Sequence, residues 1–201
     1  MAPSTELVKA LRERTGAGVM DCKEALQATN GDLEAAVDYL RKKGLASAAR
    51  RAHRTAREGA VGAYIHPGAR LGVLIEVDCE TDFVARTEEF HALIRDLAMQ
   101  VAAANPTWIA REDVPAAVLE RERAIYREQV AEERKPPHVV DKIVEGRLER
   151  FLSEQCLLEQ PFIKDASGKT RVKDLVAGLA ARTGEHIVVR RFARFQVGEG
   201  G

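Results

Sequence analysis

The sequence is poor in the features that mark several common protein classes. Aromatic residues make up 5% of its 201 positions, and its three cysteines, Cys22, Cys79 and Cys156, stand far apart with no C-x-x-C pair. An odd, scattered set supports neither a disulfide framework nor a zinc cage, and a reducing cytoplasm is the expected setting. Each thiol reads as a small buried hydrophobe rather than a nucleophile, since no histidine or other base lies beside it. Net charge is absent too. The 31 basic and 31 acidic residues cancel, so no global field draws the chain to nucleic acid or anionic lipid. No uninterrupted apolar stretch approaches the ~20 residues of a membrane-spanning helix. The opening Met-Ala-Pro-Ser-Thr-Glu-Leu has neither the apolar core of a signal peptide nor the Arg-rich composition of a transit sequence, so no leader is expected.

Catalytic patterns are missing as well: there is no P-loop, no G-x-G-x-x-G, no G-x-S-x-G and no H-E-x-x-H. His53, His66, His91, His138 and His186 are isolated, none at metal-ligand spacing. His66, before Pro67, reads as shaping a turn. Glu76, Asp78, Glu80 and Asp82 alternate near a strand end. They resemble either a divalent-metal site or, more simply, a solvated acidic rim. No enzyme of covalent chemistry, no bound metal and no cofactor is expected.

What is present is a 45% hydrophobic chain, long enough for one medium domain and a smaller one. Residues 1–44 read as three short helices. Ser4 or Thr5 can cap the first, which carries Leu7, Val8 and Leu11 on one face. Thr15-Gly16-Ala17-Gly18 breaks it, because glycine permits backbone angles other residues avoid. The second runs from Val19 to about Ala28 and buries Met20, Cys22, Ala25 and Leu26. After Asn30-Gly31, Asp32 caps a third helix with Leu33, Ala36, Val37 and Leu40 at helical spacing, ended by Gly44. So small a unit suits an interaction module. Residues 45–57 read as a helical basic linker.

From residue 58 the period changes to two. Val61, Ala63 and Ile65 alternate with Gly62 and Tyr64, and Pro67-Gly68 predicts a type II turn. Leu71, Val73, Ile75 and Val77 form the apolar face of the return strand. Phe90, Leu93, Ile94, Leu97, Ala98, Val101 and Ala102 then follow helical spacing up to Asn105-Pro106. Residues 116–134 predict a charged surface helix. After Pro136-Pro137 another helix carries Val140, Ile143, Val144, Leu148, Phe151 and Leu152. A short helix from Val172 to about Ala181 precedes a strand from His186 to Val197, apolar on both faces as a central strand would be. The expected class is α+β: a three-helix domain (1–44), a linker (45–57), and a small antiparallel sheet covered by helices (58–201).

One segment resists a structural reading alone. In Cys79-Glu80-Thr81-Asp82-Phe83-Val84-Ala85-Arg86, a carboxylate and a large aromatic stand between a strand and a helix beginning near Thr87. By pattern, Asp82 can cap a helical turn while Phe83 folds inward as core. The alternative is an Asp-Phe pair presented at a loop tip, where functional residues concentrate.

Two long motifs carry a resemblance. Thr15-Gly16-Ala17-Gly18-Val19-Met20-Asp21-Cys22-Lys23 resembles the first signature of the bacterial elongation factor Ts family, and Glu80-Thr81-Asp82-Phe83-Val84-Ala85-Arg86 resembles its second. His66 to Val77, Glu145-Gly146-Arg147, Glu159-Gln160-Pro161-Phe162 and Arg191 to Gly200 extend the likeness over nearly the whole chain. The resemblance implies a nucleotide exchange factor for the translational GTPase elongation factor Tu. It implies that the three-helix unit is similar to a ubiquitin-associated fold and docks on the GTPase through Leu11, Arg12, Thr15, Gly16, Ala17, Gly18 and Val19. It implies further that Thr81, Asp82, Phe83 and Val84 intrude near the partner's magnesium region, dislodging the ion. Longer family members carry a two-lobed core. The single lobe here leads to the expectation of a homodimer through the larger domain.

Two rival readings remain at this point. Seven Lys and Arg between Arg41 and Arg57 could neutralise nucleic-acid phosphates, although no aromatic interleaves them for base stacking. A ubiquitin-type adaptor built on the small domain leaves the Asp-Phe segment unexplained.

Overall fold

A computed structural model describes residues 3–131 and 136–199. The chain divides into two units, one of Met1–Tyr64, Leu74–Ala98 and Lys173–Ala193, the other of Ile65–Val73, Met99–Val172 and Arg194–Gly201. The architecture is α+β, as the sequence predicts.

In the first unit, α1 (Thr5–Thr15) starts at Ser4, whose hydroxyl accepts from Leu7 N–H. It ends at Gly16, whose φ of 65° is the left-handed geometry glycine tolerates best. Helix α2 (Val19–Ala28) follows. Helix α3 (Leu33–Arg51) is capped by Asp32, which accepts from Ala35 N–H at 3.0 Å. The three helices bury Val8, Leu11, Cys22, Ala25, Leu26 and Ala36, with Leu7, Leu33, Val37 and Leu40 packed around them.

Two expectations fail here for physical reasons. Gly44 does not end α3. It is buried within the helix, and the Ala-rich residues after it hold the helical conformation to Arg51. Met20 is not core but 74% exposed. Met20 stands two positions before Cys22, about 200° around the helix from the face that Cys22, Ala25 and Leu26 bury.

Strands β1 (Glu58–Ile65), β2 (Leu71–Cys79) and β3 (Val188–Gln196) form a three-stranded antiparallel sheet in the order β1-β2-β3. At the hairpin, Gly68 has φ 91° and Ala69 N–H donates to His66 C=O at 2.9 Å, which fits the expected Pro67-Gly68 turn. Val73, Ile75 and Val77 are buried as expected, but β1 presents the opposite face from the one its pattern suggests. Val61 and Ile65 are exposed, and Gly62 turns inward beneath Ile94. The last strand is a further correction, because β3 lies at the sheet edge and β2 is central. Its Ile187 and Val189 end is buried, whereas Phe195 and Val197 stand in solvent.

Helix α4 (Asp82–Ala85) is a single turn. Helix α5 (Glu88–Ala104) buries the whole predicted stripe, from Phe90 through Ala102. Helix α8 (Val172–Thr183) closes with Gly184 at φ 76°, and β3 follows.

In the second unit, α6 (Ala116–Ala131) packs on α7 (Pro137–Gln155). Residues 132–134 of the expected charged helix lie outside the described residues. Val114, Leu152 and Cys156 form a buried cluster with Trp108, Val118, Leu119 and Phe151 around it. Gln100 is 1% exposed and fully engaged. Its amide donates to Gln160 Oε1 at 3.0 Å and Pro161 C=O at 3.2 Å, and accepts from Ile163 N–H at 2.9 Å. Among the described residues no helix is long and apolar enough to cross a membrane.

Candidate functional site

The Asp-Phe segment begins where β2 ends. Thr81 keeps extended backbone angles (φ −128°, ψ 153°) and caps α4, its hydroxyl facing Val84 N–H at 3.5 Å. That single turn leaves Phe83 82% exposed. The inward, core placement that pattern permits is therefore not the one adopted. Leaving a ring in water forgoes about 1.5–3 kcal/mol of burial. Asp82 forms an i,i+4 ion pair with Arg86 at 2.8 Å, and Ala85 is the turn's buried anchor.

Two carboxylates far apart in sequence fasten this turn. Glu185, in the loop after α8, accepts from Glu80 N–H at 3.0 Å and Thr81 N–H at 3.2 Å, and from the Thr81 hydroxyl. Glu80 answers in the other direction. Its carboxylate accepts His186 N–H at 2.6 Å and faces Arg54 at 3.4 Å. The His186 amide first, and Arg54 after it, hold the Glu80 carboxyl below the usual glutamate range. Beneath them Cys79 is buried, donating to Thr81 C=O. Burial first, then the nearby Glu185 charge, pushes its thiol up to about 11.

The alternating acids form no ion cage. Glu76 pairs with Arg191, Asp78 with Arg190 at 2.7 Å, Glu80 with Arg54 and Asp82 with Arg86. Among the described residues no group of three or more His, Cys, Asp or Glu could hold a metal ion.

The Thr15–Val19 loop joins α1 to α2. Thr15 Oγ1 donates to Leu11 C=O at 2.7 Å and accepts from Ala17 N–H at 3.3 Å. Arg12, Gly16, Gly18 and Val19 are exposed, Thr15 and Ala17 half-buried. Leu11, at 0% exposure, lies in the helical core. A β-carbon at Gly16 would press on Arg182 Cδ at 3.1 Å, and Arg182 in turn pairs with Glu89 at 3.2 Å. The end of α8 thus lies against the first motif through Arg182, and three residues on it holds the second through Glu185.

A family profile described as Elongation factor TS matches residues 6–199. The chain belongs to the elongation factor Ts family. It is similar to "Elongation factor Ts" of Caldanaerobacter subterraneus subsp. tengcongensis, 61% identical over 197 residues that cover 98% of each chain. The protein of the same name from Moorella thermoacetica is 63% identical over 193 residues, 96% of this chain and 94% of that one. That of Thermodesulfovibrio yellowstonii is 54% identical over 199 residues, covering 99% and 98%. The resemblance read from the two motifs therefore holds for nearly the whole chain.

Within this elongation factor Ts fold, sequence reasoning missed three residues. Met20 is exposed because helical angles, rather than hydrophobicity, set which side of α2 faces the core. Glu185 lies 104 positions beyond Thr81, and Arg182 lies far beyond both Gly16 and Glu89, which it touches. Only Gly184, a helix-ending glycine, signalled that the chain turns back there.

Proposed function

We propose that this chain is the guanine nucleotide exchange factor of elongation factor Tu, acting in the cytoplasm during translation elongation, and that the Thr81–Val84 turn is its working edge. Family membership supports the exchange role. The exposure of Phe83 on an anchored turn is the single observation that carries the mechanism. The Phe83 ring wedges into the GTPase near its magnesium region, with Asp82 beside it. The ion is displaced, and the phosphate-binding loop loses its hold on GDP.

Energetics require more than one contact. An exchange factor and GDP weaken each other reciprocally, so loosened GDP must be matched by tighter binding of the factor to the empty GTPase. A thousandfold weakening corresponds to roughly 4 kcal/mol, whereas burying one phenylalanine yields about 1.5–3 kcal/mol. The remainder comes from Asp82 and from docking by the three-helix unit through Arg12, Thr15, Gly16, Ala17, Gly18 and Val19, to which exposed Met20 is added. In this scheme residues 1–44 form a ubiquitin-associated-like docking domain, 45–57 a linker whose first part, to Arg51, is the end of α3, and 58–201 the core. Exposed Val61 and Leu74 on neighbouring strands support a second copy seated on the sheet, giving a homodimer.

The nucleic-acid reading is disfavoured by the basic segment itself. Lys43 is paired with Asp21 and Glu24, Arg41 lies beside Asp38 and Asp174, and Arg54 faces Glu80. The deciding experiment follows fluorescent GDP leaving purified elongation factor Tu, with increasing amounts of this protein. Accelerated release that persists in moderate salt is the expected result. Release that stays at its intrinsic rate at every concentration overturns the proposal.

A further inference from the structure

The exposed Phe83 turn raises a mechanical question. A single helical turn of four residues has little stability of its own, because nucleating a helix fixes several dihedrals for one hydrogen bond. A ring meant to push into another molecule must nevertheless sit on something stiff, or binding energy is lost in ordering it. The stiffness is not local. Thr81 N–H, Thr81 Oγ1 and Glu80 N–H, three donors at the root of the turn, all converge on the two oxygens of Glu185, more than a hundred residues away. Donors aimed at an ionised acceptor make stronger bonds than neutral pairs do.

Glu185 is itself held. Gly184 takes a left-handed φ of 76° and its N–H closes α8 on Ala180 C=O at 3.0 Å, while Glu185 N–H donates to Thr183 Oγ1 at 3.3 Å. On its other side His186 N–H is accepted by Glu80. The two loops are thus cross-fastened: an acid from each takes backbone N–H groups of the other.

We infer that Glu185 is a positioning residue for nucleotide exchange, which fixes the Glu80–Thr81 backbone so that Phe83 is presented in one orientation. This rests on the reading of Phe83 as the wedge. Removing the carboxylate frees the root of the turn without touching the docking loop. The turnover of the bound complex falls while encounter does not.

The test measures fluorescent GDP release from elongation factor Tu over a range of concentrations of wild type, Phe83→Ala, Glu185→Ala, Glu185→Gln and the double variant Phe83→Ala/Glu185→Ala, with a thermal melt of each. Glu185→Ala removes the acceptor of all three bonds and is expected to lower the plateau release rate at least about tenfold, though no further than Phe83→Ala does, with little change in the half-saturating concentration. Glu185→Gln, which keeps an acceptor oxygen in place, recovers most of the rate. The double variant is no slower than Phe83→Ala. A wild-type plateau for Glu185→Ala alongside a slow Phe83→Ala overturns the positioning role and spares the wedge. Multiplicative slowing in the double variant, or a raised half-saturating concentration with an unchanged plateau, also overturns it. A Phe83→Ala protein as fast as wild type removes the wedge and the positioning role together.

Discussion

Gly62 in β1 lies directly beneath Ile94 of α5, so close that a β-carbon on the glycine would collide with the isoleucine side chain. The contact explains why β1 turns Gly62 inward and leaves Val61 and Ile65 in water. The helix approaches the sheet at a position without a side chain. Gly62→Ala is expected to cost about 1–3 kcal/mol by overpacking, read as a lower urea midpoint at unchanged slope. An unaltered midpoint would mean that Ile94 moves aside freely.

Phe83 should behave in the opposite way. As an exposed ring it contributes little to folding, and Phe83→Ala should leave stability within about 0.5 kcal/mol of wild type. Stimulated GDP release should fall roughly ten- to a hundredfold, the loss of one aromatic burial in the complex. Unfolding at ordinary temperature would place the ring in the core after all.

Gln100 offers a test in the second unit. Gln100→Leu fits the volume but strands Gln160 Oε1, Pro161 C=O and Ile163 N–H. Each unsatisfied buried group costs on the order of 1–3 kcal/mol. A thermal melt should show one of the larger losses available to a single substitution, and a neutral result would indicate that water replaces the amide.

Glu80 gives stability a dependence on acid. Its carboxyl ionises more readily in the folded chain than in the unfolded one, because His186 N–H and Arg54 favour the charged form. The resulting stabilisation is fully present above the unfolded value of ~4.3 and is lost as pH falls through the lower folded value. Melting temperatures of wild type and Glu80→Gln should therefore converge as pH drops from about 6 to about 3. A constant gap across that range would assign the effect to something other than this carboxylate.

All three thiols are buried, and burial pushes those of Cys79 and Cys156 up to about 11. The thiolate is the reactive form. In the folded protein near neutral pH a thiol reagent should modify none of them quickly, and all three should react on unfolding. Rapid labelling of even one would show that its surroundings open locally.

The elements legible in the sequence are those governed by short-range rules. The Ser4 and Asp32 caps, the Pro67-Gly68 turn and the stripe from Phe90 to Ala102 each depend on residues within a turn or two. They stand where propensity and periodicity place them. The two long motifs were legible for the same reason, since each is a continuous run. By itself the sequence thus determined the α+β class, the helices, the hairpin and the family.

Tertiary structure alone decided which face each element shows. A period-two pattern tells the two faces of β1 apart but does not say which one α5 covers, and Gly62 settles that only through Ile94. The edge position of β3 and the exposure of Phe83 follow from what packs nearby. The hold of Glu185 on Thr81 crosses 104 residues. No local pattern encodes such a pairing, because its entropic cost is met only when the sheet, α5 and α8 have already brought the two loops together.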